Sequence, residues 1–365
     1  MKVLMTADAV GGVWTYAMEL CAALRPAGVH VTLVTMGPRP TEAQRAAAHA
    51  TRNVTLIETD FDLEWMDDPW ADVERAGQCL LAIEDAVRPD VVHINGYAAG
   101  ALPFRAPVVV VAHSCVLSWW RAVKREEPPG RYQRYREAVR RGVHAAHTVV
   151  APTRAMLDAI DTHYGRAAHG VVIPNGRDPR RFTPATKAPV VLTAGRVWDE
   201  AKNIEAVDRV APSLPWEVRV AGNARGPVGT NRPLRHARAL GPLSEHELAA
   251  EMARAAVFVL PARYEPFGLS VLEAALSGCA LVLGDIPSLR ELWDDAALFV
   301  TPDDDDALAR ALMQVIDEAD TRHQVAAAAR ARALPRTSRR MASCYLDRYR
   351  ALTTRPGMEV HACAS

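Results

Sequence analysis

Short runs of strand-forming residues alternate with helical stretches along almost the whole chain, and this alternation restricts the fold more than any other feature. Most of the runs are apolar throughout, which is typical of strands buried on both faces of a parallel sheet. The runs begin at residues 3, 29, 54, 91, 108, 148 and 171 in the first half, and at 190, 217, 257, 280 and 297 in the second half. The pattern predicts an α/β protein with parallel sheets.

The length of 365 residues favours two domains, because a single hydrophobic core stops growing at roughly 250–300 residues. The segment 177–189 is rich in Pro and charge and has no periodicity, which predicts a linker. We therefore predict Rossmann-like domains over 1–176 and 190–335. A basic amphipathic helix predicted over 336–352 is expected to pack back on the first domain.

The composition excludes several classes of function. Lys and Arg total 43, as do Asp and Glu, so no net field favours nucleic acid. The six cysteines show neither C-x-x-C nor zinc-ligand spacing, which indicates reduced thiols and no structural metal. The chain enters directly into a strand-like run, and no apolar run approaches the ~18 residues of a membrane span. We expect a cytoplasmic protein with neither a disulfide framework nor a zinc site.

The stretch "YEPFGLSVLE" places Glu265 before a predicted helix and Glu273 inside it. Gly268, Leu269 and Ser270 then lie at the helix N-terminus, where backbone N–H groups and the helix dipole favour an anion such as phosphate. Carboxylates beside such a pocket suit sugar hydroxyls, which donate hydrogen bonds to them. The stretch predicts a nucleotide-sugar site. Alone, it also fits an ordinary helix start with one capping and one solvent-exposed glutamate.

Two other loops follow predicted strands and carry candidate ligand groups. "GRVWDEAKN" places Arg196 and Lys202 after a strand, and a guanidinium fork with an ammonium group suits a diphosphate. Gly11 and Gly12 join the first strand to the first helix without a G-x-G-x-x-G fingerprint. They would let a ligand approach the backbone closely. The alternatives are an exposed basic pair and a tight turn.

These motifs together resemble the retaining glycosyltransferases with the GT-B fold, family 4 in particular. "PARYEPFGLSVLEAALSGCALVLGDIPSLREL" resembles the family's E-x7-E signature, and "TAGRVWDEAKNI" resembles its Gly-Arg…Lys phosphate motif. "DAVGGVWTYAMEL" and "VAHS" resemble the Gly-rich loop and the histidine of the first domain. The resemblance covers nearly the whole chain in the right order. One departure is Asn203, which follows Lys202 where Gly is common in the family.

The resemblance implies an α/β GT-B fold in which two Rossmann-like domains with parallel sheets face a central cleft. It also implies a metal-independent, retaining hexosyltransferase without a separate cofactor, which moves a sugar from a nucleoside diphosphate donor to a hydroxyl acceptor. UDP-glucose is the first expectation for the donor and GDP-mannose the second. The implied catalytic residues are His113, Glu265, Arg196 and Lys202. The implied donor-binding residues are Gly12, Gly268, Leu269, Ser270 and Glu273, and the implied acceptor-binding residues are Gly11 and Asn95.

His113 ends the predicted strand "VVVV". A lone histidine at a strand end is more often structural, but the resemblance places this one against the transferred sugar. His93 and Asn95 end the preceding strand in the same way and are weaker candidates for acceptor contacts.

Two charged segments complete the prediction. Segment 121–141 holds eight Arg or Lys against three Glu, with aromatic residues between them. It is either a solvated helix face or a surface for an anionic or lipid-linked acceptor, with peripheral contact at the inner membrane face. The acidic run 303–306 is expected to cap a helix and not to bind a metal.

Two other functions stay open on the sequence. A non-catalytic nucleotide-sugar-binding protein would be expected to lack Glu265, Arg196 or Lys202, and all three are present. A sugar-nucleotide epimerase on the same fold would need another base, for which the sequence holds no signal.

Overall fold

A computed structural model describes residues 1–226 and 232–354. The chain divides into two compact units. The first domain comprises Met1–Trp120, Glu126–Gly176 and residues 338–354. The second domain comprises Arg121–Arg125 and Arg177–Thr337.

Strands and helices alternate as the sequence predicts. The strands are β1 Lys2–Asp8, β2 His30–Met36, β3 Val54–Ile57, β4 Val91–Ile94, β5 Val108–Val111, β6 Thr148–Ala151, β7 Gly170–Val172, β8 Ala188–Ala194, β9 Glu217–Ala221, β10 Arg238–Gly241, β11 Ala255–Leu260, β12 Ala280–Gly284 and β13 Leu298–Val300. The helices are α1 Gly12–Leu24, α2 Glu42–Ala50, α3 Trp70–Val87, α4 Val116–Lys124, α5 Gln133–Ala145, α6 Arg154–Tyr164, α7 Ile204–Val210, α8 Glu245–Arg254, α9 Leu269–Leu276, α10 Pro287–Trp293, α11 Asp305–Asp317, α12 Ala319–Ala333 and α13 Ser338–Thr353.

The sheet of the first domain has the order β3-β2-β1-β4-β5-β6-β7. Its described pairs are all parallel. Helix α13 packs with α1 on one face, where Tyr345 and Tyr349 share a core with Leu20. The other face packs on a core that includes Leu80, Val139 and Ile160, side chains of α3, α5 and α6. The predicted parallel sheet is confirmed, and the helix expected over 336–352 spans Ser338–Thr353.

The sheet of the second domain has the order β10-β9-β8-β11-β12-β13 and is also parallel in its described pairs. Every residue of β11 is buried. Phe258 and Leu260 belong to one core and Val257 and Val259 to another, because successive side chains of a strand point to opposite faces. The prediction from the continuous apolar runs, that the strands are covered on both faces, is therefore confirmed for β11.

The ends of several elements follow from local side-chain chemistry. Asp304 caps α11 by accepting a hydrogen bond from the Ala307 N–H at 2.7 Å, which confirms the acidic run as a helix start. Ser244 and Glu247 form a capping box at α8. Strand β8 begins at Ala188, inside the segment 177–189 expected to be a linker.

Candidate active site

The candidate residues of the first domain lie at one edge of its sheet. Gly11 and Gly12 follow β1, Asn95 follows β4 and His113 follows β5, and these three strands are neighbours. The carboxyl ends of parallel strands meet at the same edge, where ligands of such sheets bind. Gly11 has a φ of 78° at the start of α1, a backbone conformation that favours glycine.

His113 is bonded to Asn95. Its Nε2 lies 2.8 Å from Asn95 Oδ1, and its ring meets the Tyr16 ring edge-on with centroids 4.5 Å apart. Burial, with a smaller contribution from His93, lowers the pKa of His113 to about 3. The imidazole is therefore neutral at pH 7, which suits hydrogen bonding to a hydroxyl better than proton donation.

His93 is fully buried behind this pair. Its Nε2 lies 3.2 Å from Asn95 Oδ1, and its Nδ1 lies 2.6 Å from Tyr349 Oη of α13. Burial lowers the pKa of His93 to about 4. The side chain is enclosed in the protein, so the expected acceptor contact by His93 gains no support from its position.

In the second domain, one backbone and one side-chain hydrogen bond join the loops that carry Lys202 and Glu265. The N–H of Arg263 donates to Ala201 O at 2.8 Å, and Asn203 Nδ2 donates to Pro261 O at 3.1 Å. These contacts bring Lys202 Nζ to 2.5 Å from Glu265 Oε2. Lys202 and Glu265 are therefore in direct contact in the second domain.

Asn203 explains the departure from the family pattern. Its φ of 54° and ψ of 34° lie in the left-handed region, which Gly adopts freely and Asn adopts more readily than other side chains. Asn203 therefore keeps the loop path and adds a side-chain amide that Gly does not have.

Glu265 interacts through both carboxylate oxygens. Oε1 accepts a hydrogen bond from the Gly268 N–H at 2.9 Å, and Oε2 contacts Lys202. The capping alternative for this residue is therefore correct in part. The N–H groups of Leu269 and Ser270 lie in the same first turn, ahead of Leu272, which donates to Gly268 O at 3.0 Å.

Arg196 is held by a buried carboxylate. Its Nη2 lies 2.7 Å from Asp199 Oδ2, and its side chain is 42% exposed, against 5% for Asp199. Burial raises the pKa of Asp199, but the charges of Arg196 and Lys202 outweigh it and the net pKa is lowered. The carboxylate fixes the guanidinium near the end of β8 and leaves much of it accessible.

Glu273 is buried and forms an ion pair with Arg177. Arg177 Nε lies 2.9 Å from Glu273 Oε1, and the two side chains are 1% and 9% exposed. The alternative that Glu273 is a solvent-exposed helix residue is therefore wrong. Its role in donor binding stays a prediction. The sequence pointed to none of this pairing, because Arg177 lies in a segment that reads as a linker.

The glycine of "VAGN" brings two strand ends together. Gly222 has a φ of 145°, and a Cβ there would lie 1.8 Å from Gly195 O. Val197 N–H donates to Asn223 O at 3.1 Å next to this approach. Gly222 therefore shapes the loop that leads to Arg196.

Three further findings concern only residues 1–226 and 232–354. No group of three or more His, Cys, Asp or Glu side chains there is arranged to hold a metal ion. No helix there combines the length and apolarity needed to cross a bilayer. Cys21 and Cys279 are buried thiols outside any disulfide, and Cys363 lies outside the described residues.

Comparison with known proteins covers both domains. Residues 10–181 match the family described as Glycosyltransferase Family 4. Residues 176–332 match the family described as Glycosyl transferases group 1. The glycogen synthase of Mycobacterium tuberculosis is 27% identical over 88% of this chain and 86% of its own length. A lipopolysaccharide core mannosyltransferase of Rhizobium meliloti is 31% identical over 51% of this chain and 62% of its own.

Two solved structures show the same fold at low sequence identity. Sucrose-phosphate synthase from Thermosynechococcus elongatus superimposes with a TM-score of 0.80 at 18% identity, over 96% of this chain and 99% of its own. Anabaena HepE in complex with UDP-glucose gives a TM-score of 0.74 at 17% identity, over 95% of this chain and 100% of its own.

Proposed function

The chain belongs to glycosyltransferase family 4, group 1, and has the GT-B fold, and on this premise we propose how it transfers a hexose. The donor is a nucleoside diphosphate sugar and the acceptor is a hydroxyl group. Transfer proceeds with retention of the anomeric configuration and without a metal ion.

The observation that carries the proposal is the group of charges at the ends of β8 and β11. Arg196 and Lys202 are each held by a carboxylate, Asp199 and Glu265. The side chain of Arg196 is 42% exposed although Asp199 holds it. Its guanidinium can therefore present N–H groups to phosphate oxygens as a planar fork.

The same group suits the charge that develops during transfer. The bond from the sugar to the diphosphate breaks while the acceptor oxygen bonds to the sugar carbon, and the acceptor proton goes to the departing phosphate. Lys202 has three N–H donors, and the described residues engage one of them, at Glu265. The other two suit phosphate oxygens. Together with Arg196 and the start of α9, they stabilise the leaving group.

The first domain supplies a neutral imidazole at its sheet edge. His113 Nε2–H donates to Asn95 Oδ1, which leaves Nδ1 as an acceptor for a sugar hydroxyl. We assign His113 to the transferred sugar, Gly12 to the donor phosphate, and Gly11 with Asn95 to the acceptor side. Glu273 is assigned to the ribose.

UDP-glucose is the first choice of donor, supported by the complex of HepE with UDP-glucose. GDP-mannose is the second choice, supported by the mannosyltransferases among the relatives. The acceptor is proposed to be an anionic or lipid-linked hydroxyl compound. The exposed arginines of segment 121–141 support this, and they also suit peripheral contact with an anionic membrane.

Thermal shift tests the donor first. UDP, GDP, ADP and their common sugar conjugates are compared with and without EDTA, since a ligand of the native state raises stability by RT ln(1 + [L]/Kd). We expect one nucleoside diphosphate to raise the midpoint equally with and without EDTA. A shift that EDTA abolishes would contradict metal independence, and no shift with any nucleotide would contradict the donor assignment.

Substitution of Glu265 separates an enzyme from a non-catalytic binder. Glu265→Gln keeps an amide oxygen for Gly268 but loses the charge that orients Lys202, so transfer should fall by about 10²-fold. Nucleotide binding should persist. Glu251→Gln, whose carboxylate pairs with Arg219, is the control and should transfer as the wild type does. Glycogen and inositol 3-phosphate, named for relatives, are the first acceptors to test by release of nucleoside diphosphate.

A further inference from the structure

We propose that Tyr349, on the C-terminal helix α13, is a positioning residue that fixes the orientation and tautomer of His113 through His93 and Asn95. The inference rests on the proposed function, because it concerns how His113 is held for the transferred sugar. All four residues lie in the first domain.

The amide of Asn95 is the centre of the arrangement. Its Nδ2 donates to Thr6 O at 2.7 Å, and its backbone N–H donates to Thr6 Oγ1 at 3.0 Å. Because the NH2 group is committed to the carbonyl of β1, the other amide atom is the acceptor Oδ1. The orientation of the amide therefore follows from its contacts with β1.

Both histidines direct Nε2 at this one oxygen. His113 Nε2 is 2.8 Å away and His93 Nε2 is 3.2 Å away. A carbonyl oxygen with two lone pairs accepts two hydrogen bonds but donates none. Each ring must therefore carry its proton on Nε2, so Nδ1 of each is an acceptor.

Tyr349 holds His93 in that tautomer. Its hydroxyl lies 2.6 Å from His93 Nδ1, and burial raises the pKa of this phenol well above its ordinary value, so the phenol keeps its proton and donates. Tyr16 Oη lies 3.4 Å from His93 Nε2, on the other side of the ring. The Tyr345 ring lies 5.3 Å from the His93 ring. Among the described contacts, only the Tyr349 hydroxyl bonds Nδ1.

Loss of the Tyr349 hydroxyl changes the hydrogen bond that holds His113. His93 then keeps a buried acceptor without a donor, or moves its proton to Nδ1. In the second case, the lone pair on Nε2 faces the lone pairs of Asn95 Oδ1 and pushes the amide away. Either response changes the oxygen that holds His113, because buried hydrogen-bond networks respond as units.

Tyr345 offers a matched control on the same helix. It is also fully buried in the same core. Tyr345→Phe and Tyr349→Phe each remove one phenol hydroxyl group. The Tyr345 hydroxyl interacts with Tyr16 and is not among the described partners of His93, so the two variants differ in the contact to His93 Nδ1 that the proposal invokes.

The test is the tautomer of each ring, read from long-range ¹H–¹⁵N spectra of the full chain with ¹⁵N-labelled histidine. Signals are assigned with His93→Gln and His113→Gln. We expect both rings to be Nε2–H in the wild type. Tyr349→Phe should shift the His93 and His113 signals, and Tyr345→Phe should leave both in place. An Nδ1–H ring in the wild type overturns the proposal without any variant.

Kinetics give a second readout. Tyr349→Phe should lower kcat about fivefold, the factor of one typical net hydrogen bond, with little change in KM for the donor. Equal spectra and rates for the two Phe variants would overturn the inference. If His113→Gln transfers normally, the proposed role of His113 fails, while the spectra still decide whether Tyr349 sets its tautomer.

Discussion

Replacement of Arg177 by Met tests whether the ion pair at Glu273 stabilises the second domain. Arg177 is 1% exposed, with its Nε 2.9 Å from the Glu273 carboxylate and its Nη2 3.2 Å from Glu245. Its guanidinium lies 5.0 Å from the centre of the Phe182 ring. Met fills much of the same apolar space, so the change removes chiefly the charge.

The expected cost follows from the burial of the two carboxylates. Glu273 is 9% exposed and would stay buried without the charge of Arg177, and removal of one partner of a buried ion pair costs about 3–5 kcal/mol. Glu245 is 45% exposed, so water can solvate it, and the loss of its contact with Arg177 adds at most about 1 kcal/mol to the destabilisation. For a domain of 150–250 residues, each kcal/mol lowers the midpoint by roughly 2–4 °C. We expect the transition of the second domain to fall by about 10 °C.

Differential scanning calorimetry of the full chain measures this, because two domains can melt in separate transitions. Arg181→Met is the control, since it removes an exposed partner of the same Glu245 and should cost less than about 1 kcal/mol. The double variant Arg177→Met with Glu273→Met should recover most of the loss, because an apolar pair often replaces a buried ion pair at little cost. Equal melting of Arg177→Met and Arg181→Met would refute the reasoning.

Changes at four other positions have defined outcomes. Gly222→Ala places a Cβ 1.8 Å from Gly195 O, so the loop must move and UDP affinity should drop in calorimetric titration; unchanged affinity would argue against a role for this loop. Asn203→Gly should keep the left-handed turn and melt within a few degrees of the wild type, whereas Asn203→Val should melt well below it. Asp304→Ala should destabilise the second domain by about 1 kcal/mol through loss of its cap, seen as a small fall in the melting midpoint. The pKa of Asp199 is lowered in the folded protein, so its carboxylate stabilises the fold fully above the unfolded pKa of about 4 and loses this effect as the pH falls below it. Asp199→Asn should therefore reduce the free energy of unfolding more at pH 7 than at pH 3.

Much of the architecture could be predicted because parallel strands have a simple signature. The apolar runs at β5 and β11 are buried on both faces, and their spacing leaves room for a helix between neighbours. The candidate residues could be placed for the same reason, since His113 and Glu265 follow strands and strand ends converge.

The partners of these residues could not be predicted, because they come from distant parts of the chain or from segments without a pattern. Tyr349 reaches His93 across 256 positions, and Arg177 lies in a stretch that lacks periodicity. In the sequence, Asn203 stands out only as a departure from the family pattern. Its left-handed backbone explains it, but a single sequence does not show which φ a loop residue adopts.

Calorimetric titration of UDP tests the central claim most directly, that Arg196 and Lys202 hold a nucleoside diphosphate. Wild type is compared with Lys202→Met and with Arg209→Met, whose exposed side chain pairs with Asp305 in the same domain. Charge-assisted hydrogen bonds contribute about 1.5–3 kcal/mol, so we predict that Lys202→Met weakens binding by roughly 10- to 100-fold and that Arg209→Met binds as the wild type does. UDP that binds Lys202→Met as tightly as the wild type would contradict the account.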